Sequence, residues 1–491
     1  MSALAKRGLA ALAIVAATLL GARAWQSHLA PPLRPWHTRV PPEPGAARID
    51  ALDWEGYLKA EAAAFDFVRA EVTEALDEED RVPVNRYFAG SPVHPGRLAR
   101  DWNRSFVLDP EGPPAGAAVF LHGMTDSPYS MRHLASRYAA RGWVSVVVRL
   151  PGHGTVPGAL AEVGWEDWQA AARLAAREAL RRAGPAKPLH VVGYSMGGAL
   201  AVRHALDALE NTSLPRPARL VLVSPMIGIT GFARFAGLAG LPAVLPPFAR
   251  AAWLGVTPEF NPFKYNSFPV NGARQAHALT VAIRRQADRL AREGRIAGFP
   301  PVLTFQSEVD FTVSTRAILA GLYGRLPANG SELVLFDLNR AARLSPLLRA
   351  SHAAPAGSDL PPPPRPYRTT IVTNASPTSL DGVARTVEAG AVDEEVVPLG
   401  EPYPRDVHSL SHVALPFPET DALYGSRPDP SEDFGIALGA LAARGERGAL
   451  VVSLDALLRT SSNPFFDFLV ERVDAGIAEP RPAGAAGDPL P

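Results

Sequence analysis

Gly193-Tyr194-Ser195-Met196-Gly197 sets a serine between two glycines with G-x-S-x-G spacing, directly after the apolar run LHVVG and before a helical run. A strand that turns this tightly into a helix leaves no room for side chains beside the serine. Gly193 and Gly197 therefore suit the flanks, and the hydroxyl of Ser195 is pushed outward as a nucleophile elbow. A serine hydroxyl attacks a carbonyl only when a base takes its proton, so the same chain must also supply an imidazole, an acid to orient it and amides to hold an oxyanion. Two backbone N–H groups must converge for that last task, one from the residue after the nucleophile and one from the loop after an earlier strand. Met196 and Met124 occupy those positions, the latter in His122-Gly123-Met124-Thr125-Asp126, where Gly123 allows the sharp turn. His122, and likewise His153 in Pro151-Gly152-His153-Gly154, suit hydrogen bonding to backbone better than proton transfer.

The acid has to follow a later strand. PVLTFQS ends at Ser307, and Asp310 in the turn Glu308-Val309-Asp310-Phe311 is favoured over Glu308, whose place nearer the strand end predicts a solvent-facing side chain. The histidine is less determined, because none follows the strand ELVLFDL closely. His352, His408 and His412 are the candidates.

These groups need a frame. From Ala117 onward, apolar strand-like runs (AAVFL, WVSVVV, LHVVG, RLVLVS, PVLTFQS, ELVLFDL) alternate with helical segments, the βαβ rhythm of a mostly parallel sheet with helices on both faces. The rhythm stops between about 226 and 300, which predicts an inserted helical cap. There Phe232, Phe235, Phe248, Trp253 and Phe260 are candidates either to line an acyl pocket or to pack the cap on itself. A second insertion is expected over about 340–400, opening with a Pro-rich excursion and ending in one or two added strands. Residues 91–480 then form the catalytic domain, preceded by a helical extension over 49–90 and followed by a flexible tail over 481–491.

HGMTDSP, LPGHG, GYSMGG and SEVDFTV together resemble the monoacylglycerol lipase, carboxylesterase and serine aminopeptidase branch of the α/β hydrolases. The resemblance covers about 115–340 and the histidine loop. It implies an α/β-hydrolase fold and a Ser195-Asp310-His412 triad with the Met124 and Met196 amides as the hole. SLSHVALPF is similar to the histidine loop of a group of exported hydrolases, which favours His412 over His408 and His352. The expected activity is cleavage of carboxylic esters, with lipid-like or medium-chain acyl groups as the substrate class. Two other readings stand beside it: a catalytically inert lipid- or partner-binding protein of the same fold, and a serine aminopeptidase, which would need acidic residues in the cap where only Glu259 precedes Asp288.

Composition narrows the rest. Equal numbers of basic and acidic residues, 49 each, give no field for nucleic acid. The absence of cysteine removes disulfides, thiolate metal sites and a thiol nucleophile; with no HExxH run either, no metal or cofactor is expected. Lys6 and Arg7 precede an uncharged run from Gly8 to Ala22 that ends in Ala22-Arg23-Ala24, the layout of a signal peptide or N-terminal anchor over 1–24, and a Pro-rich linker is expected over 25–48. The expected location is extracytoplasmic or membrane-anchored, and oligomeric state is not legible.

Overall fold

The computed structural model describes residues 3–228, 240–341, 354–441 and 452–478. The strands follow in chain order: β1 Phe106–Leu108, β2 Gly116–Leu121, β3 Trp143–Val148, β4 Leu189–Tyr194, β5 Arg219–Val223, β6 Trp253–Gly255, β7 Phe268–Pro269, β8 Val302–Ser307, β9 Glu332–Phe336, β10 Arg368–Asn374, β11 Asp381–Val387 and β12 Glu394–Pro402. All but β6 and β7 join one sheet in the order β1-β3-β2-β4-β5-β8-β9-β10-β11-β12. Pairing from β3 through β10 is parallel, while β1, β11 and β12 run antiparallel at the edges.

Every residue of β2, β3, β4 and β8 is buried. This is why those runs read as continuously apolar, since both faces of a parallel sheet are covered. One face packs against helices Trp165–Ala183 and Met196–Glu210 through Trp168, Leu174, Leu200 and Leu206. The other packs against Arg132–Ala140 and the C-terminal helix Phe466–Ala478 through Leu134, Tyr138, Leu469 and Val473.

Two expectations about organisation need correction. The stretch read as a linker does not hang free: Trp36 and His37 are buried, and Glu43 reaches the guanidinium of Arg149 at 2.7 Å. Arg149 follows β3 with its side chain only 1% exposed, and Glu61 of helix Trp54–Val68 approaches it from the other side at 3.3 Å. A cation this deep needs its partners, so the N-terminal segment is part of the domain. The second insertion also belongs to the frame, because β10, β11 and β12 extend the main sheet by three strands.

The cap lies between β5 and β8 and contains the β6–β7 pair and the amphipathic helix Val270–Arg292. An N-terminal helix, Ala3–His28, reaches the cap through Arg23, which donates to the Trp253 carbonyl at 2.5 Å. Among the described residues no helix is long and apolar enough to cross a membrane. The tail over 481–491 lies outside the described residues.

Candidate active site

Ser195 stands between β4 and the helix Met196–Glu210 with φ 54° and ψ −116°. Positive φ is a strained conformation for a residue with a side chain, and the surroundings hold it. Its amide donates to the Val223 carbonyl at 2.9 Å, and its carbonyl accepts the Met226 amide at 2.9 Å. The glycines are required by close approach: a Cβ at Gly193 would stand 2.3 Å from the Gly197 carbonyl oxygen, and one at Gly197 only 1.9 Å from that of Leu121. Ser195 is 7% exposed.

The loop after β2 comes up against it. A Cβ at Gly123 would lie 3.2 Å from the Ser195 Cβ, which places the Met124 backbone beside the elbow. Neither the Met124 nor the Met196 amide donates to any of the described loop, turn or cap partners. Thr125 also has positive φ, 60°, and its carbonyl accepts the Tyr265 amide of the cap at 2.7 Å. His122 contacts the Gly123 carbonyl at 2.9 Å and accepts the Leu150 amide at 3.0 Å; burial pushes its imidazole down to about 3. His153 is within 3.1 Å of the Pro151 carbonyl, and burial likewise holds it well below its ordinary value.

Asp310 and His412, far apart in the chain, meet. His412 Nδ1 lies 2.7 Å from Asp310 Oδ2, with side-chain exposures of 6% and 0%. Burial would push the Asp310 carboxyl up, but the imidazole of His412 and the amides of Val313 and Thr312 outweigh it and hold it below the usual carboxylate value. Tyr194, the residue before Ser195, packs its ring 5.4 Å from the imidazole and donates its hydroxyl to the His412 carbonyl at 3.3 Å. The imidazole therefore sits beside the elbow.

The remaining candidates fall elsewhere. His408 is exposed, and among the described residues it engages through its carbonyl, which accepts the Asn339 amide at 2.9 Å; His352 lies outside the described residues. Glu308 does not face solvent as expected. One of its oxygens accepts the Gly357 amide at 2.9 Å while the other is buried without a partner, and burial, reinforced by Asp337, pushes its carboxyl up to about 7. Phe260 packs with Phe263, Tyr129 and Phe417, and Trp253 meets the His37 ring edge-on at 4.7 Å, so both fill the protein against neighbouring segments. Phe248 is half-buried, and Phe232 and Phe235 lie outside the described residues. Among the described residues no group of three or more His, Asp or Glu is placed to hold a metal ion.

Residues that place the histidine loop were not singled out from sequence. Asn339, just past β9, donates through Nδ2 to the Pro404 and Val407 carbonyls, both at 3.0 Å. Tyr403 donates to the Asp337 carbonyl at 2.5 Å. Asp421 is fully enclosed and accepts from Tyr129, Arg132 and the Leu423 and Tyr424 amides, with His133 Nε2 at 2.7 Å. The signal for Asn339 was its position: a polar residue where a shorter chain of this topology would carry its histidine.

Residues 112–338 match the family described as "Serine aminopeptidase, S33". The chain is 27% identical over 204 residues to a thermostable monoacylglycerol lipase of Bacillus sp. (strain H-257), an overlap of 41% of this chain and 73% of the relative. Solved structures similar to it include one from work on the metagenome-derived lipolytic enzymes LipS and LipT, 23% identical with a TM-score of 0.39 over 48% of this chain and 88% of the other. Another is a soluble variant of monoglyceride lipase from Saccharomyces cerevisiae, 14% identical with a TM-score of 0.37 over 47% and 81%. The family match runs from β2 past the end of β9, taking in the elbow, the Gly123 loop and Asp310 but not His412. With that match laid over this sheet order, the chain has the α/β-hydrolase fold, and its residues 112–338 are similar to the monoacylglycerol lipase-like and serine aminopeptidase-like branch of it.

Proposed function

We propose that this hydrolase is a serine esterase acting on carboxylic esters of lipid-like or medium-chain acids, with Ser195, His412 and Asp310 as its triad. The observation that carries this reading is the 2.7 Å contact between His412 and Asp310 next to the strained elbow residue. A carboxylate can only accept, so the imidazole proton belongs on Nδ1 and Nε2 keeps its lone pair for the serine. Oγ of Ser195 attacks the ester carbonyl carbon as its proton passes to Nε2. The resulting oxyanion is received by the Met124 and Met196 amides, and the proton goes to the departing alkoxide. Water, deprotonated by the same nitrogen, attacks the acyl-enzyme and frees the acid. Among the described residues the Ser195 hydroxyl has no hydrogen-bond partner, and substrate binding is what tightens such contacts in hydrolytic sites.

An aminopeptidase reading is supported by the family description but less by the cap. Glu259 is buried and spends its oxygens on the Asn266 and Ser267 amides, at 3.0 and 2.7 Å, and so is not offered to a substrate amine. The basic pair Lys6 and Arg7 ahead of the uncharged run Gly8 to Ala22, all within helix Ala3–His28, supports export or anchoring.

The test is covalent labelling with a fluorophosphonate, followed by a panel of acyl esters and aminoacyl amides. Wild type should label and Ser195→Ala should not. A folded wild type that resists the probe and cleaves no ester would leave the inert binding protein as the better reading.

A further inference from the structure

Two cations that the mechanism does not use are attached to the loops that carry it. Lys264 belongs to the cap, and the next residue, Tyr265, donates its amide to the Thr125 carbonyl, one position beyond Met124. Lys264 is half-buried, and among the described residues its ammonium makes no hydrogen bond and no ion pair within 4.0 Å. Arg459 comes from the segment after β12. Its carbonyl accepts the hydroxyl of Ser411, the neighbour of His412, at 2.7 Å, and its guanidinium donates to the Thr312 hydroxyl, two residues past Asp310, at 2.6 Å.

The two charges sense each other: burial pushes the Lys264 ammonium down, Asp126 opposes this, and Arg459 adds to the fall. The charge of Arg459 also reaches Tyr194. Asp126 is the carboxylate that Lys264 feels, but it lies inside the Gly123 loop, and burial pushes it up despite Lys264 and its Ser130, Ser127 and Gly123 hydrogen bonds. A desolvated cation without a close acceptor is unfavourable, and a second cation nearby makes it more so; an anion between them removes both penalties. Lys264 and Arg459 thus bring two positive charges to the loops that carry the proposed site, with Asp126 offsetting Lys264 only in part.

We propose that Lys264 and Arg459 form a subsite beside Ser195 that binds an anionic oxygen group, carboxylate or phosphate, carried by the ester substrate. The inference rests on the serine-esterase reading and deepens it by naming a feature of the substrate. Arg459 and Lys264 approach from different segments, so the subsite exists only when both the cap and the C-terminal segment are in place.

The experiment compares charged and neutral esters of matched length on the full chain: 4-nitrophenyl hemiglutarate against 4-nitrophenyl pentanoate for a carboxylate, and a 1-acylglycerol 3-phosphate against the 1-acylglycerol for a phosphate. In wild type, kcat/KM should favour the charged member of at least one pair by about tenfold, chiefly through KM, and the preference should shrink as salt is raised. Lys264→Met and Arg459→Gln should each reduce that ratio severalfold, with Arg459→Lys retaining most of it. Should Lys264→Met fail to fold, the exposed Arg459 still decides the matter. Turnover of the neutral esters with a charged-to-neutral ratio at or below one, or a ratio unmoved by Arg459→Gln, overturns the subsite while leaving the esterase standing. Failure to cleave any ester, together with failure to react with fluorophosphonate, removes both.

Discussion

The sheet from β2 to β9 and the segment beyond β12 each contribute to the same site, but they hold their contributions differently. Ser195 and Asp310 follow directly from the ends of buried parallel strands, so their places are fixed by backbone ladders and glycine contacts. His412 arrives on a segment without strand pairing, tied down by side chains: Asn339 on Pro404 and Val407, Tyr403 on Asp337, and Tyr129, Arg132 and His133 on Asp421. The contrast teaches that the proposed nucleophile and acid inherit their geometry from the fold, whereas the proposed base depends on a set of polar contacts that can be titrated or cut one at a time.

The sharpest way to break that contrast is to remove the imidazole. His412→Ala should lower kcat by about 10⁴-fold while the melting temperature stays near that of wild type, because the sheet does not depend on it. His408→Ala, at an exposed position in the same loop, should leave both unchanged; steady-state kinetics and calorimetry on the two variants check this.

A smaller effect is expected from cutting a tie. Asp421→Asn removes one of the two carboxylates on buried Arg132, Glu432 supplying the other, and should weaken docking of the segment by about 1–3 kcal/mol. Hydrogen exchange should rise over 404–440 and fluorophosphonate labelling should fall, with the β2 to β9 amides still protected. Acid should act in the same direction. Burial alone would raise the Asp421 carboxyl, but His133, Arg132 and the Tyr424 amide hold it well below the usual value. A depressed carboxyl stabilises the folded state fully above the unfolded value of about 4 and loses that contribution as pH falls further. Asp310 has the same sign, so labelling by the probe should disappear at a higher pH than the far-ultraviolet signal of the sheet. Coincident loss of the two would place the histidine segment and the sheet in one cooperative unit.

The smallest change belongs to the C-terminal helix. Arg137 and Arg141 pair with Asp474 at the surface, and Arg141→Ala should cost less than about 1 kcal/mol in thermal denaturation.

The sheet, the elbow, the Gly123 loop and the placing of Asp310 past β8 were legible because each rests on short-range pattern: continuous apolar runs, glycines at fixed spacing, and a turn after a strand. His412 was reachable only through the likeness of SLSHVALPF to a known loop, since nothing local ties an imidazole to a strand that ended long before. The burial of Trp36, Glu43 and Glu61 was not legible. Prolines among charged residues look like a tether until Arg149, itself hidden in an apolar context, is seen to need two carboxylates. Glu308 was misread for a related reason, because a polar residue at a strand end faces water unless a later segment covers it, and the stretch carrying Gly357 does so here.

The late place of His412 in the chain has a consequence for biogenesis. On the proposed mechanism, a ribosome releases every strand of the main sheet, and the elbow with it, before the imidazole has been made. A growing polypeptide therefore carries the elbow and the strands of the sheet while still lacking both the imidazole and the helix Phe466–Ala478 that covers one sheet face. On that mechanism activity begins only once residue 412 has been made and docked, so a product terminated before it would be inert toward the esters around it.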